Sequence, residues 1–305
     1  MTSVFQKGKL FLKSRSSNHA KLLYHNTCKP HYSELHTAKK IYKTSKKTPL
    51  HITWKNENLS EKQNFLLERW SLLNPNLVIK YYTDETNKYF VKTHFPQYEH
   101  VINKFDRIVM KLDFIRLLYV YYYGGIYSDF DVLPLKSIEP LLNINEVVIC
   151  KEDVKNAKNY NVEYILSNAV IIARPKSNFI KHLIEDIVSN IDSPKINSKN
   201  PNDILEMTGP LFFNRAYSSY FDKSRITILD SLYFNPMTFY EISKGEIKNN
   251  IEHSYLVHLN DGTWWQQQHD SSIEYLKKII KIHDGLILQY YNDFQKSFEK
   301  YKTNN

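Results

Sequence analysis

Short apolar segments alternate with a helical pattern from residue 49 onward, and this alternation constrains the fold more than any other feature. Residues 49–54 (PLHITW) have the composition of a short strand. Ser60 and Gln63 form the pattern of a helix-capping box, and Asn74, which precedes a proline, ends the helix that follows. Residues 77–82 (LVIKYY) are again typical of a strand. The order strand, helix, strand predicts a βαβ unit and therefore an α/β layer fold.

The strongest helical pattern covers residues 106–123. Its apolar residues recur at steps of four and three, which predicts a helix with one apolar face; they are Ile108, Leu112, Ile115, Tyr119 and Tyr122. Gly124 and Gly125 end this helix, and Ile126 to Val132 is predicted to be one strand. Further strands are predicted at 146–150, 164–173, 226–229 and 255–259, and further helices at 178–190 and 271–300.

The positive charge of the chain is concentrated at its N-terminus. The formal net charge is +9, but residues 1–47 contain eleven Lys or Arg and a single acid, Glu34. The remainder is therefore almost neutral. We predict a basic N-terminal arm over 1–47 and one α/β domain over 48–305. Such an arm suits an anionic surface, such as nucleic acid, an anionic membrane or another acidic partner, or it is a solvated extension.

Composition excludes several classes of protein. Two cysteines, Cys28 and Cys150, cannot form a disulfide framework, and no Cys/His cluster suggests zinc. No apolar run is long enough for a transmembrane helix, and the N-terminus has no apolar core of signal-peptide length. We therefore expect a soluble protein of the cytoplasm or another intracellular compartment, with no transmembrane segment.

The acidic residues that follow the strongest helix have the spacing of a cation site. Asp113 and Arg116 are three residues apart and share one face of the helix, as in an ordinary surface salt bridge. Asp129 and Asp131 lie on the same side of the predicted strand. Two carboxylates so placed can hold Mg²⁺ or Mn²⁺. A D-x-D is often a solvated turn, but the apolar and aromatic flanks here favour a buried site.

Several motifs together resemble the DXD-motif sugar-binding glycosyltransferases, glycosyltransferase family 32. The glucosylating domains of large bacterial toxins are more distantly similar. The resemblance runs from about Leu50 to about Trp265, most of the predicted domain. Its motifs, in order, are Trp54, Asp113-x-x-Arg116, Gly124-Gly125-x-Tyr127-x-Asp129-x-Asp131, Ser167-Asn168-Ala169, Thr208-Gly209-Pro210 and His258-Leu259-Asn260-Asp261-Gly262-Thr263-Trp264-Trp265.

The resemblance implies a GT-A type, Rossmann-like fold with a mostly parallel central sheet flanked by helices. It implies a retaining, metal-dependent transfer of a sugar from a nucleotide-sugar donor to a glycan, a protein or another hydroxyl acceptor. The expected cofactor is Mn²⁺ or Mg²⁺. Among donors we expect a UDP-sugar in preference to a GDP-sugar.

The resemblance also implies roles for individual residues. Asp131 would bind the metal directly, Asp129 would bind the metal or the donor, and His258 would be a third ligand. Asp113 and Arg116 would hold sugar hydroxyls and a phosphate, and with the two DXD carboxylates they form the predicted catalytic set. The remaining predicted donor contacts are Trp54 on the base, Asn168 at the sugar, and Trp264 and Trp265 in a flap over the diphosphate.

Two other functions fit parts of the sequence. A haloacid-dehalogenase-like phosphatase would use Asp129 and Asp131 after an apolar strand, although no matching acidic metal motif follows. A non-enzymatic module would bind nucleic acid or a membrane through the basic arm. The glycosyltransferase pattern often has a second acid or histidine near His258. This chain departs from that pattern with Leu259, Asn260 and Asp261, so the full set of metal ligands stays open.

Overall fold

The structure is a computed structural model that describes residues 47–197, 200–248, 250–262 and 271–303. Within it, the residues from 47 to 287 belong to one compact unit. The strands are β1 (Thr48–Thr53), β2 (Leu77–Tyr82), β3 (Gly125–Ser128), β4 (Val132–Pro134), β5 (Val147–Lys151), β6 (Leu166–Ala173), β7 (Ile226–Leu229) and β8 (Leu256–His258). The α-helices are α1 (Glu61–Leu73), α2 (Asp84–His94), α3 (Glu99–Lys104), α4 (Ile108–Tyr123), α5 (Val154–Asn159), α6 (Asn178–Ser189), α7 (Pro201–Met207), α8 (Pro210–Ser219), α9 (Phe239–Ser243) and α10 (Ile273–Thr303).

The central sheet has six strands in the order β2-β1-β3-β6-β5-β7. Strand β1 is parallel to both β2 and β3, and β5 is parallel to β7. Strand β6 is antiparallel to its two neighbours, so it alone of the six runs in the opposite direction. A separate antiparallel pair joins β4 to β8. The predicted α/β architecture, with a mostly parallel central sheet flanked by helices, is confirmed.

Both faces of the sheet are covered by apolar side chains. Tyr127 and Ile171 lie in one buried cluster with residues of α2, α4, α6 and α8. Ile126 and Ile172, which point to the opposite face because strand side chains alternate, lie in a second cluster with Trp70 of α1. Burial on both faces explains why these strands are nearly continuous apolar runs.

Helix α4 differs from its predicted form in how it is buried. The expected single apolar face is wrong, because Ile108 and Tyr122 at its ends are exposed while its middle is enclosed on nearly all sides. The buried residues include Asp113 and Arg116, at 3% and 5% exposed. A helix that is apolar on all sides is a core helix rather than a surface helix. The two charged residues therefore lie in the interior of the protein.

Most of the predicted elements are confirmed with small shifts at their ends. Ser60 accepts from the backbone N–H of Gln63, whose side chain accepts from the N–H of Ser60, which confirms the predicted capping box. The strand predicted at 226–229 and the helix predicted at 178–190 are found as β7 and α6. Within the described residues, no helix is long and apolar enough to cross a membrane.

Candidate active site

The DXD residues lie in a turn and not within a strand. Strand β3 ends at Ser128 and β4 begins at Val132, so the single strand predicted over 126–132 is wrong. The backbone N–H of Asp129 still donates to Ala169 of β6 at 2.8 Å. Beyond the turn, β4 leaves the central sheet and pairs with β8. This change of partner breaks the strand and places both carboxylates beyond the C-terminal end of β3.

Asp129, Asp131 and His258 form a compact cluster of potential metal ligands. One ligand atom from each lies within 4.8 Å of the others. The register of β4 and β8 explains the position of the histidine, because Val132 pairs with His258. The backbone N–H of Asp261 donates to Asp131 Oδ2 at 2.9 Å and so orients that carboxylate. Two carboxylates and an imidazole suit Mn²⁺ or Mg²⁺, so the residues present fit a divalent cation.

Asp131 and His258 form an ion pair. His258 Nε2 lies 3.5 Å from Asp131 Oδ1. Burial alone would raise the pKa of Asp131, but the charge of His258 and its hydrogen bond lower that pKa to about 2. Burial alone would lower the pKa of His258, but the Asp131 carboxylate raises it to about 9. In the ion pair, the proton on His258 supplies the positive charge beside Asp131. A metal cation that binds this cluster would therefore replace that proton as the partner of Asp131.

A buried ion pair adjoins the cluster. Arg116 Nη2 lies 2.9 Å from Asp113 Oδ1, as the i,i+3 spacing predicted. Asn168 Nδ2 donates to the same oxygen at 3.0 Å, and the Thr208 hydroxyl donates to the other at 2.8 Å. Burial raises the pKa of Asp113 to about 6, although Arg116 and the two hydrogen bonds oppose the shift. Side chains from α4 and β6 and the Thr208 turn thus meet at one carboxylate.

Arg116 connects this ion pair to the DXD motif. Its Nη2 lies 3.2 Å from Asp129 Oδ1, and its Nη1 donates to the Asn168 carbonyl at 2.7 Å. The guanidinium also lies 4.6 Å from the centre of the Tyr127 ring, a cation–π distance. The Nε–H of Arg116 is buried without a hydrogen-bond partner among the described residues. A buried donor in this state suits a ligand oxygen.

Tyr127 and Thr208 contribute contacts that were not among the predicted site residues. The Tyr127 hydroxyl donates to Asp129 Oδ1 at 2.9 Å and lies 3.2 Å from the Thr53 hydroxyl. Thr208 ends α7 and donates to Asp113 from that position. Both residues lie in motifs quoted for the resemblance, so the signal was present. Thr53 is distant in the chain from Tyr127, and Asp113 is distant from Thr208, so the spacing alone does not reveal these two contacts.

Trp54 lies beside the DXD turn. Its backbone N–H donates to Tyr82 at 2.9 Å, directly after β1. Its ring meets the Phe130 ring edge to face, with centroids 5.7 Å apart. The structure thus brings Trp54, Asn168, Asp113, Arg116, Asp129, Asp131 and His258 to one region. The predicted flap residues Trp264 and Trp265 lie outside the described residues.

Comparisons with known proteins agree with the motifs. Residues 19–148 match the family described as the glycosyltransferase sugar-binding region containing the DXD motif. The chain is 30% identical over 94 residues to inositol phosphoceramide mannosyltransferase 3 of Schizosaccharomyces pombe, covering 31% of this chain and 26% of that protein. It is 28% identical over 187 residues to the initiation-specific alpha-1,6-mannosyltransferase of the same yeast, covering 51% and 47%.

A solved structure with similarity is the PaToxG glycosyltransferase, at 21% identity and a TM-score of 0.40, covering 55% of this chain and 67% of that one. The chain spans about half the length, or less, of the two yeast relatives. The sequence matches agree with the predicted resemblance to the DXD-motif glycosyltransferases over that part of the chain. The match begins at residue 19, inside the stretch predicted as a basic arm.

Proposed function

We propose that this chain, which carries the DXD-containing sugar-binding region of the glycosyltransferases, transfers a sugar from a nucleotide-sugar donor to a hydroxyl acceptor. The observation that supports this most is the continuity of the site. Arg116 contacts both Asp113 and Asp129, and Asp129 belongs to the cluster with Asp131 and His258. Arg116 therefore joins two parts of the site. Asp113 would bind sugar hydroxyls, and the cluster of Asp129, Asp131 and His258 would bind a diphosphate through a cation.

The donor diphosphate would lie at the cluster of Asp129, Asp131 and His258. Bound there, Mn²⁺ or Mg²⁺ would neutralise the charge that develops on the leaving nucleoside diphosphate. Arg116 would donate its free Nε–H to a donor oxygen, because a guanidinium keeps its charge and directs several donors in a fixed plane. Asp113 and Asn168 would hold sugar hydroxyls, and Trp54 would stack on the base.

The stereochemistry and the partners rest on the resemblance and on the relatives. The family resemblance supports retention of the anomeric configuration. Two relatives are named mannosyltransferases, so mannose donors belong in any screen beside UDP-hexoses. The acceptor would be a glycan, a protein or another hydroxyl compound. The basic arm would bind an anionic surface.

The experiment that tests the proposal combines a donor screen with the variant Asp131→Asn. Each UDP- and GDP-hexose is incubated with the protein and Mn²⁺ or Mg²⁺, and release of nucleoside diphosphate is measured. Because Asp131→Asn removes a ligand charge but keeps the size of the side chain, we expect turnover to fall by at least ~10²-fold. The matched control is Asp192→Asn, whose carboxylate is 83% exposed and should leave turnover unchanged.

Two outcomes would contradict the proposal. Normal turnover after treatment with a chelator would exclude the metal. Release of inorganic phosphate from phosphate esters, without turnover of any nucleotide sugar, would favour the phosphatase alternative.

A further inference from the structure

Asp261 lies three residues after His258, close enough in the chain to be a further metal ligand. Its side chain is nevertheless engaged by groups outside the cluster of ligands. Oδ2 contacts Nζ of Lys62 in α1, and Oδ1 accepts from the backbone N–H of Ser271 at 3.1 Å. Accordingly, Asp261 is not one of the clustered ligands.

The backbone of Asp261, by contrast, contacts the cluster directly. Its N–H donates to Asp131 Oδ2 at 2.9 Å, and the N–H of Leu259 donates to the Asp131 carbonyl at 2.8 Å. Oδ1 of Asp131 faces His258, whose Nε2 is 3.5 Å away. The turn that follows β8 thus fixes one oxygen of the carboxylate and leaves the other on the side of the histidine.

This turn has an uncommon backbone conformation. Asn260 and Gly262, on either side of Asp261, have positive φ of 53° and 60°. A residue other than glycine keeps such a conformation only where the surrounding contacts enforce it. Asn260 makes one of these contacts, from its Nδ2 to the His258 carbonyl at 3.1 Å. The position of the Asp261 N–H therefore depends on the contacts that hold the turn.

Helix α1 supplies a charged contact to the turn. Leu66 of α1 lies in one buried cluster with Leu133 of β4 and Leu259, so the helix packs against the β4–β8 pair. Lys62 precedes Leu66 by one helical turn and shares its face. In the ion pair of Lys62 with Asp261 the side chains are only 12% and 9% exposed. The helix dipole disfavours a lysine in the first turn of a helix, and the ion pair offsets this.

We propose that Asp261 is a positioning residue and not a metal ligand, an inference that rests on the proposed function. Anchored by Lys62, its backbone N–H holds Oδ2 of Asp131 and so presents Oδ1 to the cation. Lys62 also neutralises the Asp261 carboxylate, which would otherwise lie unpaired beside that of Asp131. Where the glycosyltransferase pattern often has a further ligand near its histidine, this chain has a support for the ligand Asp131.

The first test measures the affinity of the full chain for Mn²⁺ alone, by calorimetry, in Lys62→Met and Lys62→Arg. Lys62→Met removes a positive charge near Asp131, which by itself would tighten cation binding. We expect the affinity to fall instead, by about 10-fold, because loss of a group that orients a metal ligand typically costs 10–100-fold. Lys62→Arg keeps the charge and a donor and should retain most of the affinity.

The second test measures donor hydrolysis at increasing Mn²⁺ concentration in Asp261→Asn and Asp131→Asn. Asp261→Asn keeps the backbone N–H, so its turnover should approach that of the unaltered chain once Mn²⁺ is saturating. Asp131→Asn loses a ligand and should remain slow at every concentration. The matched control is Lys181→Met, whose lysine is 53% exposed in an i,i+4 pair with Glu185 and should change neither quantity.

Equal or tighter Mn²⁺ binding by folded Lys62→Met would overturn the positioning role. If Lys62→Met does not fold, Asp261→Asn still decides, because turnover that stays slow at saturating Mn²⁺ would make Asp261 a ligand. An unaltered chain that neither binds Mn²⁺ nor turns over any donor would instead overturn the proposed function.

Discussion

Arg116 neutralises carboxylates in an interior where a charge without a partner is strongly unfavourable. Burial alone would lower its pKa, but the carboxylates of Asp129 and Asp113 raise it above that of a free guanidinium. The arginine therefore remains charged. Together with Asn168 and Thr208, it gives both carboxylate oxygens of Asp113 a partner. Such networks are sensitive to the loss of a single member.

The variant Arg116→Met tests this sensitivity. It leaves Asp113 buried without its cation, so we expect the free energy of unfolding to fall by about 3–5 kcal/mol, measured with denaturant. The double variant Asp113→Asn/Arg116→Met should recover part of that loss, because the unpaired charge is gone. Arg215→Met is the control: this arginine is 48% exposed in its pair with Asp186, and its loss should change stability by less than about 1 kcal/mol.

Equal losses in the buried and the exposed arginine variants would contradict the ion-pair argument. A double variant less stable than Arg116→Met would contradict it as well.

The residues of the site were predictable where chemistry and spacing coincide. Asp113 with Arg116 shares a helical face, and the DXD pair stands out by composition. The burial of the ion pair was not predictable, because an i,i+3 pair is equally typical of a surface helix. The contact between Thr53 and Tyr127 was missed for another reason. It forms because β1 is next to β3 in the sheet, and local spacing does not reveal the strand order.

At the scale of elements, the turn between α4 and β3 depends on two glycines. Gly124 and Gly125 have φ of 66° and 89°. A Cβ on Gly125 would lie 2.3 Å from the Pro49 carbonyl oxygen, and a Cβ on Gly124 would lie 2.5 Å from Pro175 Cδ. Both the conformation and the lack of space therefore require glycine. The close packing sets where β3 begins beside β1, and so helps to place Asp129.

The variant Gly125→Ala should be strongly destabilising. The left-handed conformation costs about 1–2 kcal/mol for alanine, and the clash with backbone adds roughly 1–3 kcal/mol. Gly245→Ala separates the two effects, because its φ is +70° but nothing lies within 4 Å of the added Cβ. Thermal or denaturant unfolding of both variants should show the larger loss at Gly125. Equal losses would mean that backbone conformation alone determines the effect.

The sheet strands and long helices were predictable from apolar runs, whereas the breaks between them were not. Strand β3 stops at Ser128 because β4 pairs with β8 across more than a hundred residues. Helix α2 was not predicted, although Thr83 caps it through the side chain and backbone of Thr86. A threonine at that position does not have the Glu or Gln signature of a capping box. Helices α7 and α8, which meet at the Thr208 turn, begin with proline and were also missed.

At the scale of the whole molecule, the boundary at residue 47 remains a prediction. The family match starts at residue 19, and the described structure starts at residue 47. The concentration of positive charge before residue 48 is a property of the sequence alone. It supports an anionic partner for that segment, and charge screening would make such binding weaken with salt.

The pH dependence of stability combines two buried groups with opposite signs. His51 of β1 is fully buried against α4 and β2, with Nε2 2.9 Å from the Gly124 carbonyl and Nδ1 3.1 Å from the Tyr82 hydroxyl. Burial lowers the pKa of His51 from 6.5 to about 4, with Lys80 adding to the shift and Gly124 opposing it. Asp113 has its pKa raised to about 6 instead. Between pH 4 and 6 the contributions of the two groups to the pH dependence of stability therefore partly cancel.

The variant His51→Gln isolates the histidine contribution to this pH dependence. The unfolded chain binds a proton at His51 near pH 6.5, but the folded chain binds it only near pH 4. The stabilisation is therefore complete above pH 6.5 and is lost as the pH falls toward 4, by up to about 3 kcal/mol. Glutamine keeps a donor and an acceptor and does not titrate. The difference in unfolding free energy between the two proteins should therefore shrink by that amount between pH 7 and pH 4, measured by denaturant titration in one buffer series. A difference that is constant over this range would mean that His51 is protonated equally in both states, and that its burial does not control the acid stability of the protein.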